Sequence, residues 1–171
     1  MGLDDGAAPA SAAEVTLREI TLANRAQVEA LRVAVGQEAF VDGVGDSLAE
    51  AAATPGSRPW CRAIYAAETP VGFVMLADNV PPDDPVIRWR YYLWRMLIDG
   101  RYQGRGYGSA TLDLVTEYLR GRPGADVLVT SIVPGEGSPH GFYLNYGFEA
   151  TGEWLDHEQV MRLPLAASVG Q

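Results

Sequence analysis

Gln103-Gly104-Arg105-Gly106-Tyr107-Gly108 stands between the longest strand-like run of the chain, Val86 to Asp99, and its clearest helical pattern. In that pattern Tyr107, Thr111, Leu114, Val115 and Tyr118 fall on one face of a 3.6-residue period. Strand, glycine-rich turn and helix in that order gather successive backbone N–H groups, and the helix adds its free amides and positive dipole end. Such a loop suits an anion. Its spacing is G-x-G-x-G, with Ser109 where a dinucleotide-binding loop has its third glycine, so that reading fits poorly. A plain glycine-rich connection is the remaining competitor. Arg88, Arg90, Arg95, Arg101 and Arg105 surround the loop against Asp99 alone, a local charge of +4 in a chain of net charge −9. That contrast points to a phosphate-bearing ligand.

Outward from the loop the pattern alternates strands and helices. Glu14 to Ile20 reads as a strand. Asn24 with Gln27, and Ser47 with Glu50, resemble capping boxes at the starts of two helices, the second stopped at Pro55-Gly56. Trp60 to Ala67 and Val71 to Ala77 form a hairpin about Glu68-Thr69-Pro70. After the glycine loop comes the helix ended by Gly121 and Pro123, then the β-branched run Val127 to Val133. Ser138 and Pro139 suit N-cap and first turn of another helix, closed by Gly147. Phe148 to Trp154 and Gln159 to Leu163 finish as strands. The order predicts one α/β domain, β-α-α-β-β-β-α-β-α-β-β, over residues 14–165. Residues 1–13 read as a flexible N-terminal tail and 166–171 as a C-terminal tail.

Composition narrows the chemistry. The 171 residues are 47% hydrophobic, enough for one sizeable core. Every cation is an arginine, which excludes a Walker-type lysine, a Schiff base and a pyridoxal attachment site. A single cysteine, Cys61, excludes an internal disulfide, and two histidines leave little for a metal cage. The acidic balance disfavours nucleic acid and anionic membranes. No run reaches the roughly 20 apolar residues of a membrane span, and Met1 to Ala13 lacks the marks of a signal or transit peptide. A cytoplasmic location is the expectation.

Two motifs make the chain recognisable. Gln103-x-x-Gly106-x-Gly108 resembles the acetyl-CoA pyrophosphate motif of the GNAT superfamily of N-acetyltransferases. Phe142-Tyr143-Leu144-Asn145-Tyr146-Gly147-Phe148 resembles that family's second motif, at the usual separation. Pro134 to Pro139, with Tyr102-Gln103-Gly104, looks like the bacterial spermine/spermidine acetyltransferase branch. The resemblance spans Val15 to Leu163, with the diagnostic residues between Met96 and Phe148.

The resemblance implies a GNAT-like fold: a mixed sheet of about seven strands, helices on both faces, and a splay between strands 4 and 5. It implies acetyl-CoA as cosubstrate without a metal, a small-molecule amine acceptor with a polyamine first, and a homodimer. Met96, Leu97 and Ile98 would present their backbone edge to the pantetheine arm, with the amide of Leu97 or Ile98 polarising the thioester carbonyl. Gln103, Gly104, Arg105, Gly106, Tyr107, Gly108 and Ser109 would hold the pyrophosphate. Tyr143 would protonate the leaving thiolate. Where related polyamine enzymes carry a glutamate base on the fourth strand, this chain has Trp94, so the general base does not carry over. Glu38, Asp42 and Trp94 are the candidates for an acceptor rim, although Glu38, Asp42 and Asp46 also suit a solvated charge run. Trp154, Asp156, His157 and Glu158 form a hairpin tip that could close over the acceptor, or serve as ordinary turn residues. The absent glutamate leaves a second function open: a coenzyme A-binding sensor or interaction module without turnover.

Overall fold

A computed structural model describes residues 14–165; the expected tails, 1–13 and 166–171, lie outside the described residues. Seven strands form one sheet in the order β1-β2-β3-β4-β5-β7-β6. β1 (Val15–Arg18), β2 (Pro59–Ala66), β3 (Thr69–Asp78) and β4 (Tyr91–Ile98) are antiparallel neighbours. β5 (Val127–Ile132) runs parallel to β4, a pairing that requires a crossover, here α3 (Tyr107–Arg120). After α4 (His140–Tyr146), β6 (Glu149–Leu155) and β7 (Glu158–Pro164) complete the sheet, with β7 inserted beside β5. α1 (Arg25–Glu29) and α2 (Val44–Ala53) precede β2.

Alternation along the strands builds a core on each face. Leu93, Leu128 and Met161 pack with Leu112, Val115 and Leu119 of α3 and Tyr143 of α4. Tyr92, Trp94, Leu97, Val129 and Val160 pack on the other face with Val28 of α1 and Val44 of α2. The element order read from the sequence is the observed one. Several local expectations are corrected. Asn24 does not cap α1: its Oδ1 accepts the Thr21 amide (2.8 Å), and the helix stops after five residues. Ser47 lies inside α2, its hydroxyl donating to the Gly43 carbonyl, while Glu50 turns to Arg95. Ser138 sits one residue before the α4 N-cap and donates to the Val133 carbonyl. Asn24 and Ser47 bond to nearby backbone and Glu50 to a distant cation instead of to helix-terminal amides, while Ser138 Oγ also accepts the His140 amide at the start of α4 (3.3 Å). β4 is also shorter than expected, because Asp84 gathers the amides of Val86 and Ile87 into a turn before it.

Asp99, just past β4, straps the first helical region to the sheet. Its carboxylate accepts from the Arg32 amide (2.9 Å) and from Arg101 through backbone and guanidinium. The Arg101 hydrogen bond, with the two amides, holds the buried carboxyl down at about 2 against the opposing effect of burial. A depressed carboxyl stabilises the fold fully above its unfolded value near 3.8, and that contribution fades as pH falls through about 2. Asp99→Asn is expected to cost about 2 kcal/mol at pH 7. Melting temperatures of the two proteins should converge as the pH approaches 2; a gap independent of pH would refute the linkage.

Candidate active site

Hydrogen-bonded pairing between β4 and β5 covers only Tyr92 with Val129 and Leu93 with Thr130. Beyond it the strands part, and Thr130 Oγ1 closes the fork on the Leu93 carbonyl (3.0 Å). From Trp94 to Ile98, β4 keeps β3 on one side and presents a free edge on the other. A cleft of about 760 Å³ occupies this splay and continues to the N-terminus of α3. It falls in the usual range for a small-ligand site.

The glycine loop forms one end. Gly104 and Gly106 take positive φ (77° and 83°), and a Cβ built on Gly106 meets nothing within 4 Å. The space above the loop is open for a ligand. α3 has no side-chain cap, so its first amides face the cleft without an internal partner. Gly108 serves packing instead: a Cβ there would come within 3.0 Å of Phe142, so the glycine lets α3 approach α4. Gly104, Gly106, Tyr107, Gly108 and Ser109 line the cleft; Arg105 is exposed outside its lining, its guanidinium over the Tyr102 ring. Gln103 lines it too, but its side chain is engaged. The amide exchanges hydrogen bonds with Gln37 and donates to the Ile98 carbonyl (2.9 Å), tying the α1–α2 connection to the end of β4.

The expected arginine patch does not exist as a patch. Arg90 bonds Asn79, Arg95 bonds Asp42 and Glu50, and Arg101 bonds Asp99, while Arg88 lies over Trp89. Arg88 and Arg90 precede β4, an eight-residue strand away from the loop, roughly 25 Å. Backbone amides, rather than pooled guanidinium charge, make this end anion-ready.

Met96, Leu97 and Ile98 all line the cleft, but they do not face it alike. The Asp99 amide donates to Val71 toward β3, and the Ile98 carbonyl accepts from Gln103 on the opposite side. Strand alternation therefore turns the amides of Ile98 and Met96 into the splay and that of Leu97 toward β3. Of the two expected carbonyl-polarising amides, only that of Ile98 is available.

Register along β3 and β4 slips at Met75/Leu76, where Met75 opposes Arg95 and Leu76 opposes Leu93. Trp94 is the extra residue of a β-bulge. The bulge gives two consecutive residues, Trp94 and Arg95, to the α1/α2 face. Trp94 is buried in that core; Arg95 reaches Asp42 (2.8 Å) and Glu50 (2.9 Å), with its Nε buried and unpartnered. Asp42 thus lines the cleft as an ion-pair partner, whereas Glu38 is exposed outside it and accepts the Gly36 amide.

Tyr143 projects from α4 into the cleft, edge-on to Phe142 and Phe148 (both 5.2 Å between centroids). It is buried, and burial pushes its phenol well above the ordinary value near 10, assisted by the nearby Tyr92. The proton is held firmly. On the other face Glu158, expected at the hairpin tip, meets two groups the sequence did not single out as a site, Tyr92 and Ser131. Tyr92 of β4 and Ser131 of β5 share a hydrogen bond, and Ser131 Oγ meets Glu158 Oε2 of β7 at 3.2 Å. For Ser131 the usable signal was a hydroxyl standing in a β-branched run. His157 and Glu158 line the cleft as their place at the hairpin tip allowed, whereas Trp154 and Asp156 lie outside its lining. Cys61 is no nucleophile there, its thiol pushed up to about 11 by burial. Among the described residues no group of three or more histidines, cysteines and carboxylates could hold a metal ion, and no helix is long and apolar enough to cross a membrane.

The model of the acetyltransferase (GNAT) family matches residues 22–148, from before α1 to the end of the second motif. The chain belongs to the GNAT acetyltransferase family. A curated relative of this GNAT chain is the L-2,4-diaminobutyric acid acetyltransferase of Streptomyces coelicolor, 27% identical over 107 residues. The match spans 58% of this chain and 59% of that protein's length. The GNAT domain of a Streptomyces lividans protein superposes with a TM-score of 0.67 at 14% identity, covering 88% of this chain and 89% of that one. A spermidine N-acetyltransferase chimera from Vibrio cholerae gives 0.61 at 14% identity, covering 89% and 96%. At such identities the superpositions establish the fold alone.

Proposed function

We propose that this GNAT-family chain is an acetyl-CoA-dependent N-acetyltransferase whose acceptor is a small primary amine, a polyamine such as spermine or spermidine first. The division of charge along the cleft carries the reading. One end offers unpartnered helix amides; the other is lined by Asp42 and Glu158, and its arginine is neutralised by two carboxylates. An anionic acceptor would meet no free cation there among the described residues. The diaminobutyrate relative suggests the second choice, a short diamino acid, whose α-carboxylate would have to displace Asp42 from Arg95.

Bound acetyl-CoA supplies a thioester carbonyl and a thiol leaving group. The loop and α3 amides would hold its pyrophosphate, with the Ser109 hydroxyl beside them. The Ile98 amide would donate to the carbonyl oxygen as negative charge develops on it. Tyr143 would stabilise the departing thiolate. Even at ordinary values, moving a phenol proton to a thiolate is uphill by roughly 2 kcal/mol, and burial widens the gap. Tyr143 is therefore chiefly a hydrogen-bond donor, completing the transfer only in a solvent-excluded site. Its raised pKa also keeps the donor protonated, so no basic limb from Tyr143 is expected below pH 10 in the kcat profile.

A thiol assay for released coenzyme A across an amine panel tests the activity. Binding of coenzyme A without release on any amine would favour a sensor. For a polycation held by exposed carboxylates, KM should rise several-fold between 0.1 and 1 M salt, as the Debye length falls from about 10 to about 3 Å. Preference for L-2,4-diaminobutyrate with a salt-insensitive KM would transfer the assignment to the diamino acid.

A further inference from the structure

We propose that Glu158 is the carboxylate that receives the acceptor's ammonium group and takes its proton, with Ser131 and Tyr92 as positioning residues. The proposal rests on the transferase reading above and supplies the base that the fourth strand lacks. Direction in the chain Tyr92–Ser131–Glu158 is fixed by chemistry. A carboxylate only accepts, so Ser131 Oγ donates to Glu158 Oε2, and the Tyr92 hydroxyl then donates to Ser131. One oxygen of Glu158 is held in place, while Oε1 has no hydrogen-bond partner among the described residues. Glu158 is half-buried at the wall of the cleft.

Elimination supports the same residue. Asp42 and Glu50 are both engaged by Arg95, and Glu38 lies outside the cleft. Glu158 lines the cleft and forms no ion pair among the described residues. The other charged or titratable groups near this wall are His157, Tyr92, Arg95, Asp42 and Glu50, with Tyr143 facing Tyr92 from α4. Placement agrees with the chemistry. The hydroxyl relay ends on Tyr92, at the last paired rungs of β4 and β5, where the cleft opens. Tyr92 and Val160, the β7 partner of Ser131, belong to the α1/α2 core, while Tyr143 belongs to the α3/α4 core. The amine would be stripped on one face of the fork and the thiolate served on the other.

The protons balance. R–NH3+ gives one proton to Glu158, and the freed lone pair forms the C–N bond as the C–S bond breaks. The nitrogen's second proton replaces the one that reaches sulfur, leaving R–NH–acetyl and a thiol. Glu158 returns its proton to water through the open cleft.

Glu158→Gln keeps the hydrogen-bond acceptor for Ser131 and removes the base. With spermidine, kcat/KM at pH 7 is expected to fall about 30-fold or more, with coenzyme A affinity and melting temperature unchanged. The deficit should shrink as pH approaches 10, because an amine of pKa about 10.4 then arrives increasingly deprotonated. Glu158→Asp should recover part of the rate and Ser131→Ala lose about threefold to tenfold. Wild-type kcat/KM in Glu158→Gln, or a deficit that does not change with pH, overturns the proposal while leaving the transferase reading intact. If the wild-type protein acetylates no amine, the transferase reading fails instead. Spermidine binding to the coenzyme A-loaded protein, measured by calorimetry at pH 7, then decides: a tenfold loss in Glu158→Gln supports Glu158 as the ammonium site, and equal affinity rejects it.

Discussion

Tyr143→Phe is expected to lower kcat on the order of 100-fold or more with the KM for acetyl-CoA little changed, the pattern of an interaction made only in the transition state. The substitution removes one oxygen and keeps the ring between Phe142 and Phe148, so the edge-to-face contacts at 5.2 Å survive. The hydroxyl reaches the cleft, where bound coenzyme would screen the sulfur from water, so no solvent proton would replace the lost donor quickly. Stability should hold or rise slightly, since no hydrogen bond from this hydroxyl links it to the fold among the described residues. Steady-state rates beside a thermal melt check both halves. Near-wild-type turnover in the folded variant would return Tyr143 to the role of a core aromatic.

Gly106→Val is expected to weaken coenzyme A binding at least tenfold, about 1.4 kcal/mol. The protein itself leaves room, because nothing lies within 4 Å of the added Cβ. The isopropyl group would instead fill the open space over the amides proposed to hold the pyrophosphate. At φ 83° a β-branched residue is also strained by roughly 1–2 kcal/mol, so the variant should melt earlier but still fold. Gly106→Ala separates the two effects: it carries most of the strain and a smaller obstruction. Calorimetric affinity equal to wild type in folded Gly106→Val would remove the loop from the site.

What was legible in the sequence was local. The face carried by Tyr107, Thr111, Val115 and Tyr118 announces α3 over consecutive turns, and Gly106 and Gly147 mark its start and the end of α4 in the adjoining residues. Single polar residues were misleading because they choose among partners. Asn24 and Ser47 had capping chemistry available and took nearer acceptors or donors. Pooling five arginines by proximity along the chain failed for a related reason: alternation and loop direction distributed them, and most found a carboxylate, an amide or a ring. The wall formed by Tyr92, Ser131 and Glu158 was hidden because its bonds join residues 39 and 27 positions apart. Only the strand order brings them together, through β7 lying beside β5 rather than at the sheet edge.

The bulge at Trp94 divides the chain's evolutionary freedom. Before and after it, β4 obeys ordinary alternation, so the donor-side residues Leu93, Met96 and Ile98 keep their orientation whatever stands at 94 and 95. Under the proposed function, point changes at these two codons would redraw the acceptor side of the cleft while leaving the strand edge proposed for the coenzyme intact. Loss of a single codon would do the opposite. Closing the bulge would force Trp94 or Arg95 out of its place, and either the donor edge or the acceptor wall would have to shift. Divergence of acceptor preference in this lineage should therefore proceed by substitution at positions 94 and 95, with β4 constant in length.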